Sequence, residues 1–167
     1  MSLTSELRVK FKATETGSND LAAQRYVPEL EKVLQFTDGT TANKADLVWA
    51  DTRTIAASGS EDLDLAGELT TAFGDTLAAA EVVGVMVTAD AGNTNDVVLG
   101  DATAPVPLLG GTNPTVSVKP GGVFVLFAPN AAGQFTVGAG STDDLKVANS
   151  SSGTAVTYTI IVLARSA

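Results

Sequence analysis

From residue 33 onward the sequence interrupts every apolar run before it outgrows a strand. The runs include "EVVGVMVTA", "DVVLG", "PTVSVKPGGVFVLFAP", "GQFTVGAG" and "DLKVANSSSGTAVTYTIIVLA". Clusters such as "DAGNTND", "GGTNP", "KPGG", "PNAAG", "GAGSTDD" and "NSSSG" punctuate them. Gly reaches positive φ, Pro fixes φ, and Asn, Asp and Ser bond their own backbone, so these clusters read as turns. Short strands at this spacing predict an all-β sandwich or barrel. About eight to ten strands are readable, the number of a jelly-roll-like or related Greek-key β-sandwich. One stretch, "GELTTAFGDTLAAAEV", has Ala-rich helix character broken by Gly74, and a long loop or short helical turn is expected there.

The first part of the chain has another texture. In "LRVKFKA", Leu7, Val9 and Phe11 alternate with Arg8, Lys10 and Lys12, the period of a strand with one apolar and one charged side. "SNDLAAQRYVPEL" predicts a short helix capped by Ser18 and ended or kinked at Pro28. Residues 1–32 are read as an N-terminal arm or peripheral segment, and residues 33–167 as the sandwich domain. Charge changes near the same point. Residues 1–44 hold six Lys/Arg and six Asp/Glu, net zero, whereas residues 45–167 hold four against thirteen, net −9. An acidic body is repelled by phosphate backbones, so nucleic acid is not an expected partner.

At 167 residues and 16.9 kDa the chain is expected to form one domain. A globule of that mass exposes about 7,700 Å², burying roughly two-thirds of the unfolded surface, which allows a core without metals or disulfides. No apolar run reaches the length of a membrane helix, and "MSLTSELRVKFK" has no apolar segment of a secretory signal, so cytosolic synthesis is the expectation and a membrane is not an expected partner. The sequence contains neither Cys nor His. That removes disulfides, thiolate zinc sites, Cys nucleophiles and Ser-His-Asp chemistry, along with the commonest general base.

Acidic residues are the remaining source of chemistry. "SEDLDLAG" places Glu61, Asp62 and Asp64 close together, but Asp62 and Asp64 alternate with Leu63 and Leu65, as on a strand with a wet and a dry side. The better candidate for calcium is "TADAGNTNDVVLGD", with Asp90, Asn93, Asn95 and Asp96, although tight turns demand the same residue types. A glycosidase needs two acids flanking a sugar cleft, usually with aromatic platforms, and 5 % aromatics with the single Trp49 point instead to a core or interface role for that residue. "LLGGTNP" and "VGAGSTDD" lack the Lys and spacing of a phosphate-binding loop. "NSS" at Asn149 matches a glycosylation sequon that matters only on a secretory route. No catalytic residue, enzyme activity or cofactor is expected.

Two strands carry more apolar surface than a two-sheet sandwich can bury. "VFVLF", Val123 to Phe127, is apolar on both sides. In "TAVTYTIIVLA", Val156, Tyr158, Ile160 and Val162 form one side, while the other begins with Thr157 and Thr159 and turns apolar at Ile161 and Leu163. The second side needs a cover: the arm, a loop or another subunit. Expected contact residues are Leu7, Val9, Phe11, Tyr26, Ile161 and Leu163, in a homo-oligomer.

"ADLVWADTRTIAASGSEDLDLAG", "VKPGGVFVLFAP" and "DLKVANSSSGTAVTYTIIVLA" together resemble small structural proteins of tailed bacteriophages and prophages, of the capsid decoration (cement) type. The resemblance covers about residues 33–165. It implies a jelly-roll-like sandwich made in the host cytoplasm and seated on the outer capsid surface of the virion, at junctions between copies of the major capsid protein. By analogy with decoration proteins on three-fold joints, a homotrimer is expected first and a dimer second. Similar stretches occur in phage tail and fibre modules, so a tail fibre, baseplate or surface module binding host glycan or protein is the alternative.

Overall fold

The structure, a computed structural model, describes residues 2–110 and 114–166. Among them there is no helix. The N-terminal region is a long β-ribbon. Its base pairs β1 (Ser5–Lys12) with a later strand, and its outer part pairs β2 (Glu15–Ser18) with β3 (Ala23–Tyr26). β4 (Glu29–Phe36) returns along β1, from Lys12↔Glu29 to Ser5↔Phe36. The expected helix at "SNDLAAQRYVPEL" is therefore absent. Asn19 decides the outcome: its Oδ1 accepts the backbone N–H groups of Leu21 and Ala22 at 3.1 and 2.9 Å, closing a tight turn where a helix would have begun. The ribbon ends at Phe36, past residue 32.

The body comprises β5 (Leu47–Ile55), β6 (Ser60–Asp64), β7 (Glu81–Ala89), β8 (Val97–Gly100), β9 (Thr115–Val118), β10 (Val123–Phe127), the short β11 (Phe135–Thr136), β12 (Asp144–Asn149) and β13 (Val156–Arg165). One sheet runs β10-β7-β13-β5, with β11 also on β7, and the other runs β6-β12-β8-β9, all antiparallel. With β11 set aside, β5 pairs β13, β6 pairs β12, β7 pairs β10 and β8 pairs β9. First meets last and each inner pair follows, which is one long hairpin rolled into a jelly roll. The "GELTTAFGDTLAAAEV" stretch crosses between β6 and β7 as turns, with a Thr70–Thr76 bridge and Gly74 at φ 89°.

Period-2 alternation fills the space between the sheets. Val156, Tyr158, Ile160 and Val162 of β13 point inward, against Leu145 and Val147 of β12, Val85 and Val87 of β7, and Trp49 of β5. Trp49 is thus a core residue. Leu63 and Leu65 are fully buried, while Asp62 is exposed and Asp64 half-buried, as their alternation predicts. Each such buried aliphatic contributes about 1.5–3 kcal/mol.

A second, smaller cluster seats the arm. Phe36, Ala45, Val83 and Leu163 are buried together, with Leu3, Leu34 and Phe127 packed on them. The Phe36 and Phe127 rings lie 6.4 Å apart between centroids. Phe127 in turn lies flat over Gly84, where an added Cβ would stand 2.1 Å from its ring. Gly84→Ala is therefore expected to displace Phe127 and lower stability by about 1–3 kcal/mol, the usual cost of overpacking. Urea denaturation checks this, and an unchanged midpoint would refute the close approach. Beyond this seat the ribbon stands apart from both sheets, and the total accessible surface is 9090 Å². That exceeds by roughly 1,400 Å² what a compact globule of this mass exposes.

Candidate functional site

The arm is two-sided. Pairing places Arg8, Lys10 and Lys12 beside Val33, Glu31 and Glu29 on one side. There Arg8 reaches Glu6 and Glu31, Lys10 reaches Glu29 and Glu31, and Lys12 reaches Glu29, at 2.8–3.4 Å. The other side carries Leu7 opposite Leu34, Val9 opposite Lys32, and Phe11 opposite Leu30. Lys32 is its one charged residue between Leu7 and Phe11. Phe11 and Leu30 are 61 % and 71 % exposed. Charge is neutralised within one side, and the other is left open and apolar apart from Lys32.

The outward side of the β5–β13–β7–β10 sheet is just as unusual. Reading across the strands, one row is Phe127, Gly84, Leu163 and Val48, and the next is Val125, Met86, Ile161 and Ala50. A third is Val123, Thr88, Thr159 and Thr52, followed by Thr157 beside Thr54. None of these residues is ionisable. Four of the five threonines spend their hydroxyls on one another, Thr52 with Thr159 at 2.9 Å and Thr54 with Thr157 at 3.1 Å. The opposite sheet shows what an ordinary wet face looks like here: Asp64 stands opposite Asp144, and Asp62 opposite Lys146.

Of the expected contact residues, Val9, Phe11 and Tyr26 are exposed on the arm, Leu7 is half-buried at its base, and Ile161 is 38 % exposed in the middle of the uncharged face. Leu163 corrects the expectation. It is 3 % exposed, because Phe36 and its neighbours at the base of the arm cover it from within the chain. The cover sought for the second side of β13 is thus intrachain at Leu163 and lacking at Ile161.

The acidic loop is a set of clasps. Asp90 Oδ1 accepts Gly92 N–H at 2.7 Å. Asn93 donates to Thr157 O and accepts from Thr157 N–H, both at 2.8 Å. Asn95 donates to Asn149 Oδ1 at 3.0 Å, and Asp96 Oδ2 takes Lys119 Nζ at 2.6 Å. Among the described residues no group of three or more Asp or Glu is placed to share an ion. Sequence reasoning missed Glu61, grouping it with Asp62 and Asp64. Alternation puts it on the leucine side instead, where it accepts Tyr158 O–H at 2.9 Å and Arg53 Nε at 2.6 Å. Burial first, and the Glu61 charge next, hold the Tyr158 phenol far above its ordinary value, so it serves as a fixed donor at the rim of the core.

Two groups of carboxylates respond to pH in opposite senses. Hydrogen bonds from Lys10 and Lys12 hold Glu29 below the usual glutamate value, and the bond from Gln35, followed by Arg8, does so for Glu6. Their contribution to the arm is present above the ordinary glutamate value and is lost as pH falls through the lowered one. Asp144 is raised, by burial first and then by Asp62, Asp143, Asp64 and Glu68. The folded state binds its proton more readily, so this residue's penalty appears as pH rises through the carboxylate range. Acidification is therefore expected to lower the amide protection factors of β1 and β4, measured against the intrinsic exchange rate at each pH, while Asp144→Asn stabilises the body at neutral pH. Hydrogen exchange and thermal melts read the two separately, and parallel responses would contradict the assignment.

No protein-family model, curated protein or solved structure matches this chain. The surfaces themselves must supply the functional reading. They are an uncharged sheet face and the apolar side of a two-sided ribbon, joined by a cleft at the base of the arm.

Proposed function

We propose that this protein is a structural component of a bacteriophage virion, a capsid decoration protein that binds the outer surface of the head at junctions between major capsid proteins and stabilises the mature shell. The observation that carries the reading is the pairing of a jelly-roll body with a projecting two-sided ribbon. A ribbon of fourteen residues from Ser5 to Ser18 reaches roughly 45 Å from end to end, and its part beyond the seat at Phe36 is exposed for contact with a neighbouring molecule. The resemblance of "VKPGGVFVLFAP" and its companion stretches to phage decoration proteins supports the same role. The mechanism is physical. A protein that binds the expanded shell and not its precursor shifts the equilibrium toward the expanded state, and several contacts per assembly raise the effective concentration. The reading assigns the chain no reaction and no cofactor.

Purified protein mixed with undecorated mature heads should give symmetric density at capsomer junctions and raise the temperature at which heads open. Deleting residues 1–32 should weaken attachment while the body keeps its β-type circular dichroism. Density on tails alone, or saturable binding to host cells with none to heads, would replace this reading with the fibre or baseplate alternative.

A further inference from the structure

We propose that the uncharged outer face of the β5–β13–β7–β10 sheet receives the apolar side of the arm from a second copy of this chain, so that the protein self-assembles through its arms. The two surfaces already meet within one chain. A cleft of about 120 Å³ at the base of the arm is lined by Glu6, Leu7 and Phe36 of the arm on one wall and by residues that include Met86, Phe127 and Ile161 on the other. Ser5 Oγ in that cleft is buried with no hydrogen-bond partner among the described residues.

Three properties select a second copy as the occupant. The first is stability: a two-stranded ribbon is marginal in water unless something packs on its apolar side. That cover is needed wherever the chain folds, and another copy is the partner always at hand. The second is charge. Bodies carrying −9 over residues 45–167 repel each other, whereas residues 1–44 are neutral, so the arm is the part that can approach another body. The third is size. The β1–β4 face measures roughly 27 by 10 Å and the uncharged sheet face roughly 17 by 19 Å from strand spacings. Gly84 and Leu163 are already buried beneath the arm's base, so reciprocal burial of the rest gives about 450 Å² of flat area per copy, the size of a reversible interface smaller than the ~800 Å² per partner of a stable one.

The chain has no Cys, so single cysteines report contacts cleanly. A Phe11→Cys variant carrying a tag is mixed with an untagged Val125→Cys variant and oxidised mildly. The expected product is a mixed disulfide dimer of intermediate mass, formed faster than either variant with itself. Light scattering should show an oligomer for the unmodified protein and a monomer for Val125→Glu/Ile161→Glu, with circular dichroism and melting confirming that this variant folds. A monomeric unmodified protein at micromolar concentration, or an oligomer that survives Val125→Glu/Ile161→Glu without forming the mixed disulfide, overturns the proposal. Self-association is read without capsids. A monomer that still decorates heads refutes arm exchange alone, and an oligomer that ignores heads refutes decoration alone.

Discussion

Replacing Arg165 by Ala is expected to cost about 3–5 kcal/mol of folding stability, the range for leaving buried charged and polar partners orphaned. Arg165 is fully buried near the end of β13. Its Nε donates to Lys44 O, Nη1 to Glu81 Oε2 and Ala131 O, and Nη2 to Asn130 O, all at 2.9 Å. One side chain thus ties the linker after the arm and the loop after β10 to the edge of the core. Alanine leaves the Lys44 and Ala131 carbonyls and the Glu81 carboxylate without this donor in a space that water cannot fully reach, while Asn130 O keeps the Gly133 N–H at 3.3 Å. The melting temperature should fall by roughly 10 °C, at about 2–4 °C per kcal/mol for a chain of this size. Arg165→Lys keeps the charge but not the planar fork and should recover only part of the loss. A urea midpoint within experimental error of the parent for Arg165→Ala would sink the claim.

Phe36→Ala is expected to release the arm. Phe36 is 2 % exposed and stacks obliquely on Phe127 in the cluster that also buries Leu163 and Val83. Truncating a buried Phe typically costs about 3–5 kcal/mol in lost transfer energy and cavity formation. Here the loss falls on the seat of the ribbon, because the main core of Trp49, Tyr158 and their neighbours lies on the other side of the sheet. Hydrogen exchange should therefore rise across β1 to β4 while β7, β12 and β13 stay protected. Uniform loss of protection would mean that the two clusters fold as one unit. The arm exchange proposed above should weaken as well, since a free hinge makes each docking event entropically costlier.

Much of the architecture was legible in the residues. Turn clusters of Gly, Pro, Asn, Asp and Ser fixed where strands stop, and the alternation of Leu63 and Leu65 with Asp62 and Asp64 gave the inward side of β6. The two-sided character of β1 was equally plain from Leu7, Val9 and Phe11 against Arg8, Lys10 and Lys12. The "SNDLAAQRYVPEL" stretch misled because Ala, Gln and Glu favour helix weakly, by tenths of a kcal/mol, and a single Asn turn with cross-strand pairing outweighs that preference. Glu61 was misplaced because proximity in sequence hides which side of a strand a residue takes.

What the residues alone determined is local: strand, turn, and the side each strand turns to a core, since these follow from backbone sterics and a period of two. The tertiary structure decided which strands lie side by side. Only the register of four strands distant in sequence reveals that Val125, Met86, Ile161 and Ala50 form one row without a charge, or that Leu163 is covered by Phe36 while Ile161 is not. Such rows are sums over long-range pairings, fixed by how the whole chain closes its core, and no single stretch of sequence contains them.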